Sequence, residues 1–433
     1  MTADVSLGVD FGTTNTVVAM AGPQGAAELV RFAAPVAETF AFRSALAFQA
    51  PPERPSDRTV EAGPWAVEAY AEDPGETRFI QSFKTFAASG SFSETQILGR
   101  RYRFEDMLSA FLLKMRDRAG ATMAELPRRV IVGRPVTFAG TAPDAALALQ
   151  RYETAFARMG FEEILYAYEP VGAAFFFARA LTGDATVLVG DFGGGTSDFS
   201  IIRFEHRGGE MVSAPLGRSG VGVAGDAFDY RIIDNLVSPQ LGKGSSYTAF
   251  GKALPIPNRY YSTFARWDQL ALMRASRDMR EIRRLVRDAV EPEKIARLVE
   301  VLDENLGYPL YQAVSHLKET LSRETQAEFR FQAAGVDIRR AVARETFEGW
   351  IAPELAAIEA AVDAALADAG LAARSIDRVF LTGGSSLVPA VRRIFTQRFD
   401  PARIESGNEL ESIASGLALI GRERDLARWT TRA

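Results

Sequence analysis

The sequence carries one signal twice. Asp10-Phe11-Gly12-Thr13-Thr14-Asn15 is matched, 181 residues on, by Asp191-Phe192-Gly193-Gly194-Gly195-Thr196-Ser197-Asp198. Each copy follows an apolar run (residues 5–9; 187–189) and precedes another (17–20; 199–202), so each reads as strand, tight turn, strand. A carboxylate closes the first strand, and small, donor-rich residues fill the turn. Glycine lets backbone N–H groups approach an anion, threonine adds hydroxyl donors, and an aspartate can hold magnesium through its waters. One such turn is an ordinary hairpin. Two, presented from the two halves of a chain, form a clamp for a metal-bound polyphosphate.

A length of 433 residues exceeds one core and predicts two domains or lobes. The chain is 47% hydrophobic and 24% charged, enough to bury large cores. A net charge of −5 gives no general reason to bind nucleic acid, and none is expected as a partner. Having no cysteine, the chain can form neither disulfides nor thiolate zinc sites and has no thiol nucleophile. No basic start leads into an apolar stretch, and runs such as 173–178 fall short of a membrane span, so a cytoplasmic protein without membrane contact is expected. Lysine occurs six times against 44 arginines, which singles out positions where a compact point charge was used, Lys84 among them.

Strands and helices alternate through most of the chain, the pattern of α/β layers. Residues 130–132 read as a buried strand ending at Gly133-Arg134-Pro135, followed by a helix from near Pro143 to Met159 that Gly160 stops. A strand at 164–168 leads into Glu169-Pro170 and a helix over 171–181. Later, 379–381 reads as a strand before Thr382-Gly383-Gly384-Ser385-Ser386, and a helix with Pro389 in its first turn continues to about Arg398. Helical periodicity returns over 409–428. The stretch 236–321 differs: a polar loop at 242–246, then long helical runs and no clear strand, as expected of an inserted helical subdomain.

Taken in order, the first turn, Lys84 in Ser82-Phe83-Lys84, Glu169-Pro170, the second turn and Gly383-Gly384 resemble the heat-shock-70 chaperone family, a branch of the actin-like ATPases, over residues 6 to about 421. The resemblance implies an α/β, two-lobed actin-like fold with a duplicated mixed-sheet core and a helical insertion in the second lobe. It implies lobe I at 1–182, lobe II at 183–404 with the helical subdomain at about 227–321, and a segment at 405–433 returning to lobe I. ATP or ADP with Mg²⁺ is implied in the cleft, with Asp10 and Asp191 on the metal side. Gly12, Thr13, Thr14, Asn15, Gly193, Gly194, Gly195 and Thr196 would cradle phosphates, and Lys318, Ser322, Gly383, Gly384 and Ser385 would bind the rest of the nucleotide. Lys84 would touch the γ-phosphate, Glu169 would orient the attacking water, and Asp198 and Thr196 would sit beside it. Phosphoryl transfer needs charge neutralised and a water placed in line, which this set supplies.

Two departures stand out. Where the family carries arginines against adenine, this chain has Glu319 and Leu387, so weaker base selectivity is expected. The chain also stops at Ala433, short of the family's peptide-binding domain, so a truncated ATPase is expected, a monomer acting on an unidentified protein partner or client. The leading function is slow Mg-ATP hydrolysis that switches a partner surface. A non-hydrolysing nucleotide-bound scaffold, a small-molecule kinase and a filament-forming relative are the rivals. Gly220-Val221-Gly222-Val223-Ala224-Gly225 matches a dinucleotide fingerprint but follows 215–219, read as non-strand, and lacks a βαβ context. The arginine-rich stretch 274–288 is read as an amphipathic helix, with an acidic partner as its sharper alternative.

Overall fold

The structure is a computed structural model, described here for residues 5–22, 26–35, 37–50, 57–207, 210–273, 276–407 and 411–433. The labelled elements are strands β1 (Ser6–Phe11), β2 (Asn15–Ala21) and β3 (Arg129–Arg134), helix α1 (Ala145–Met159), strand β4 (Glu163–Tyr168) and helix α2 (Glu169–Ala178). They continue with strands β5 (Ala185–Phe192), β6 (Ser197–Arg207), β7 (Glu210–Val221), β8 (Arg378–Thr382) and β9 (Ile404–Ser406), and helix α3 (Ser412–Ile420).

Two sheets repeat one pairing scheme. In the first, β1 pairs antiparallel with β2 (Val9 opposite Val18) and parallel with β3 (Leu7 opposite Val130), and β3 pairs parallel with β4. In the second, β5 pairs antiparallel with β6 (Asp191 opposite Asp198) and parallel with β8 (Val189 opposite Phe380), and β8 pairs parallel with β9. The inner strands read as near-continuous apolar runs because both of their faces are covered: all eight residues of β5 are buried. This is the duplicated mixed-sheet core of the actin-like ATPase fold.

Helices α2 and α3 cross in close backbone contact. A β-carbon on Gly416 would overlap the Gly172 carbonyl, and one on Gly172 would come within 2.9 Å of the Ile413 oxygen. Around the crossing, Val171, Ala174, Ile413 and Leu417 join Ile131 of the first sheet and Val187, Val189 and Phe380 of the second in one buried cluster.

By compactness the chain divides into two units. One unit holds Met1–Ala69, Ser82–Gly225 and Leu355–Ala433, and so contains both sheets; the other holds Tyr70–Gln81 and Asp226–Glu354. The second unit is mainly helical, including Arg277–Asp288, Pro292–Asp303 and Gly307–Arg323.

Three local readings change. The region expected to have no strand contains a hairpin, Ser246–Ala249 with Lys252–Pro255, turned through Phe250 and Gly251 at φ 53° and 70°. Its four-residue arms are too short to show an alternating pattern. Residues 215–219 lie within β7, not in a loop. Pro215 is tolerated because β7 is the sheet edge and its pairing with β6 shifts register at Ile201/Ile202. The expected helix over 409–428 is broken into α3 and a 3₁₀ turn at Leu426–Arg428, with 408–410 outside the described residues. Arg274 also lies outside them; from Arg277 to Asp288 the helix forms, with Met279 and Ile282 buried and Arg280, Arg284 and Arg287 exposed.

Candidate functional site

The first turn is braced from behind. Ser44 Oγ donates to the Gly12 carbonyl at 2.7 Å and lies 2.9 Å from Thr16 Oγ1, while the Ser44 N–H bonds Thr14 oxygen at 2.9 Å. The second turn is closed by Gly193 N–H to Thr196 oxygen at 3.0 Å and tied by Ser197 Oγ to the Val223 carbonyl at 2.7 Å. The two turns face each other closely: a β-carbon on Gly195 would lie 3.3 Å from Thr13 Oγ1. Gly12 is required because a β-carbon there would overlap the Asn15 carbonyl. Gly383, at φ 84°, is required because one would overlap the Phe192 carbonyl, so the Gly383-Gly384 loop lies against the second turn. Ser385 is buried in that loop, whereas Gly384 is exposed.

Around the turns the fold gathers four carboxylates and one ammonium. Asp10 and Asp191 sit in register at the ends of β1 and β5. Glu169, 4% exposed, opens α2, where the helix N-terminus favours its charge. Gly133 leaves room for it: a β-carbon there would lie 3.1 Å from Glu169 Cγ. Lys84 stands on a short 3₁₀ turn, Phe83–Phe86, entered through Ser82 at φ 55°. Buried Phe83 anchors that turn against Phe11 and Phe111. Lys84 Nζ donates to Glu169 Oε1 at 2.7 Å, both side chains being buried, and lies 5.9 Å over the Phe11 ring.

Burial sets the protonation of the cluster. Desolvation, then the Glu169 charge, pushes Asp10 up to about 7 against the opposing pull of Lys84. Desolvation and then Glu169 also push Asp198 to about 7, opposed by hydrogen bonds from Thr196 and the Thr137 and Val136 amides. Asp191 is raised well above the usual carboxylate range by burial, with Glu169, Asp10 and Asp198 adding repulsion. Burial alone would lower the Lys84 pKa; the charge of Glu169, with help from Tyr152 and Asp10, raises it and keeps the ammonium protonated. With Lys84 paired to Glu169, burial and mutual repulsion hold the three aspartates toward their neutral form, and a bound cation would draw them back to their charged form.

Asp198 divides its two oxygens. Oδ1 accepts the Val136 and Thr137 amides at 2.7 and 3.2 Å, whereas buried Oδ2 has no partner among the described residues. One oxygen fixes the side chain and the other is left for a ligand. Gly220 permits this, since a β-carbon there would overlap Asp198 Oδ1. Sequence reasoning missed Gly220 and the 136–137 amides; the glycine-rich run 220–225 was the available signal, its meaning hidden by the reading of 215–219 as loop.

Lys318 and Ser322 belong to the other compact unit. Lys318 Nζ pairs with Asp229 Oδ1 at 2.6 Å, and Ser322 Oγ donates to the Lys318 carbonyl at 2.9 Å. Asp229, 1% exposed, also accepts Trp267 Nε1 at 3.1 Å. Burial disfavours the Lys318 charge, but Asp229 outweighs it and raises the pKa. Asp229→Ala would strand the Lys318 ammonium and the Trp267 indole together. A loss of about 3–5 kcal/mol is expected in this unit, read by urea titration of Trp267 fluorescence in a Trp267-retaining background. An unchanged midpoint would show that the pair carries no structural weight.

Among the described residues, no group of three or more His, Cys, Asp or Glu side chains is arranged to hold a metal directly. Buried carboxylates such as Asp10 and Asp191 are hard oxygen donors of the kind magnesium takes, so the residues present fit that ion. No helix among the described residues is long and apolar enough to cross a membrane.

A duplicated mixed sheet with facing Gly/Thr turns and buried carboxylates defines an actin-like ATPase fold. The family profile described as "Hsp70 protein" matches residues 81–244 and 289–423. The chain belongs to the Hsp70 family. It is similar to the "Chaperone protein DnaK" of Thermotoga maritima, 27% identical over 417 residues, covering 95% of this chain and 58% of that protein. It is also similar to the protein of that name from Thermus thermophilus, 24% identical over 435 residues, covering 97% and 62%. The protein of that name from Deinococcus deserti is 27% identical over 337 residues, covering 78% and 45%. The chain thus spans 45–62% of the length of these relatives.

Proposed function

We propose that the chain binds Mg-ATP at the two facing turns, hydrolyses it slowly, and uses nucleotide state to switch a surface that a protein partner or client recognises. The observation that carries this reading is the convergence of both turns, Lys84, Glu169 and the three aspartates in one compact unit. Family membership supports it.

The residues divide the work as phosphoryl transfer requires. Backbone N–H groups of Gly12, Thr13, Thr14 and Asn15, and of Gly194, Gly195 and Thr196, take phosphate oxygens, while the Gly193 N–H expected to join them is spent closing its turn onto the Thr196 oxygen. Asp10 and Asp191 would hold magnesium, which would supply neutralisation of phosphate charge. Lys84, kept protonated, neutralises the terminal phosphoryl group. Glu169 and the unpartnered Oδ2 of Asp198 orient the attacking water. With its pKa near 7, Asp198 can hold or release a proton at neutral pH. The Thr196 hydroxyl acts on the same carboxyl and favours its charged form. Gly383, Gly384 and Ser385, against the second turn, are assigned to the remainder of the nucleotide.

Phosphate release from Mg-ATP in single-turnover format tests the reading. Slow release by the wild type supports it. Tight binding without release would leave the non-hydrolysing scaffold, and phosphate transfer to a small-molecule acceptor would favour the kinase.

A further inference from the structure

Tyr152 is a buried polar group, packed against the Phe11 ring of the first turn, that the mechanism above does not use. It lies on α1, is 0% exposed, and its phenol oxygen has no hydrogen-bond partner among the described residues. Its ring is clamped edge-on to Phe11 (5.8 Å, 76°), stacked near Phe104 (6.1 Å, 25°) and edge-on to Phe138 (6.2 Å, 70°). Phe11 is the ring over which Lys84 Nζ sits, so Tyr152 and the Lys84 ammonium flank one aromatic. The charges that act on the phenol are Lys84, Glu169, Arg134 and Asp10, the site cluster itself.

A hydroxyl buried without a partner is left desolvated and uncompensated, whereas phenylalanine would fill the same aromatic cage without that cost. The hydroxyl therefore has a use that this arrangement does not display. Here Lys84 is bound to Glu169. A terminal phosphoryl group competes for the same ammonium, and when Lys84 turns to it Glu169 is left charged and buried without its donor. The Tyr152 O–H, on a ring packed against the Phe11 ring that Lys84 faces, is a buried donor with no partner of its own among the described residues.

We infer that Tyr152 is a positioning residue of the hydrolytic site, its hydroxyl donating to the Glu169 carboxylate when nucleotide draws Lys84 away. This deepens the nucleotide-hydrolysis reading and rests on it. The step makes and breaks hydrogen bonds only; no proton changes owner.

The test is a double-mutant cycle on the full chain with three readouts. Tyr152→Phe is expected to match or exceed wild-type thermal stability without nucleotide and to keep the calorimetric Kd for Mg-ATP within about threefold. It is expected to slow single-turnover hydrolysis about tenfold. In a Glu169→Gln background the same change should cost nothing further, because the hydroxyl acts through Glu169. As a readout independent of turnover, 3-fluorotyrosine at position 152 should shift its fluorine resonance on adding Mg²⁺ with a non-hydrolysable ATP analogue. Wild-type turnover in Tyr152→Phe, an equal further loss in the Glu169→Gln background, or an unmoved fluorine resonance would overturn the inference while leaving the hydrolysis reading standing. No calorimetric binding of Mg-ATP by the wild type would overturn both.

Discussion

Replacing Gly416 with alanine is expected to destabilise the protein by about 3 kcal/mol or more, at the upper end of overpacking effects. Ordinarily, glycine to alanine inside a helix stabilises by up to about 1 kcal/mol, because alanine has the higher helix propensity. Here the added carbon would overlap the Gly172 carbonyl, a backbone atom that no rotamer change can move aside. Helix α3 would have to retreat from α2 and open the cluster that Ile413 and Leu417 share with Val187 and Phe380. Gly349→Ala is the control: Gly349 is helical with open space around its missing β-carbon, so that variant should be neutral or stabilising. Urea unfolding followed by far-ultraviolet circular dichroism reads both. Similar behaviour of the two variants would mean that the crossing is looser than described. The effect reaches the site as well, since α2 begins at Glu169. A displacement of about 1 Å at a positioning group can cost a hundredfold in rate, so any folded Gly416→Ala protein should also hydrolyse ATP poorly.

The second large effect concerns Glu169 itself. Glu169→Gln is expected to leave Mg-ATP affinity within a few-fold of wild type and to slow single-turnover hydrolysis by about 10²–10⁴-fold. On the proposed reading the turns, Asp10 and Asp191 would remain to hold phosphate and metal, and what is lost is the carboxylate proposed to orient water. Lys84→Ala should behave differently. It strands Glu169 as an unpaired buried charge among three other carboxylates. Removing one partner of a buried ion pair typically costs about 3–5 kcal/mol, so stability should fall together with rate. An unchanged single-turnover rate in Glu169→Gln would remove Glu169 from the mechanism. Equal stability losses in the two variants would mean that Lys84, not Glu169, is the side chain left without compensation.

The duplicated turns were legible because strand, turn and strand are local: each needs fewer than twenty residues, and the Gly/Thr chemistry of the turn is explicit in the chain. Gly160 stopping α1 and Pro389 starting its helix were legible for the same reason. Family order then supplied the fold, because the pieces recur in one sequence along the chain. What stayed hidden was non-local. The Lys84–Glu169 bond joins residues 85 apart, and the tie of Asp198 to the Val136 amide spans 62. Neither has a pattern that spacing could reveal. Gly220 and Gly416 are glycine for what lies opposite them, an aspartate oxygen and another helix's carbonyl. The β7 strand was masked by Pro215, whose cost disappears only at a sheet edge beside a register shift.

Isothermal titration of the purified chain with ATP, with and without Mg²⁺, tests the central claim most directly. The account expects saturable binding of one nucleotide that requires Mg²⁺ and disappears when the metal is chelated. It also expects binding to weaken at least tenfold when Asp10 and Asp191 are both changed to asparagine, with the fold retained. Those substitutions should relieve the buried repulsion and leave the unliganded protein no less stable. A matching thermal shift should appear, worth about 2.7 kcal/mol at a ligand concentration one hundred times Kd. Absence of heat and of thermal shift at millimolar Mg-ATP, or binding indifferent to Mg²⁺ and to both aspartates, would contradict it.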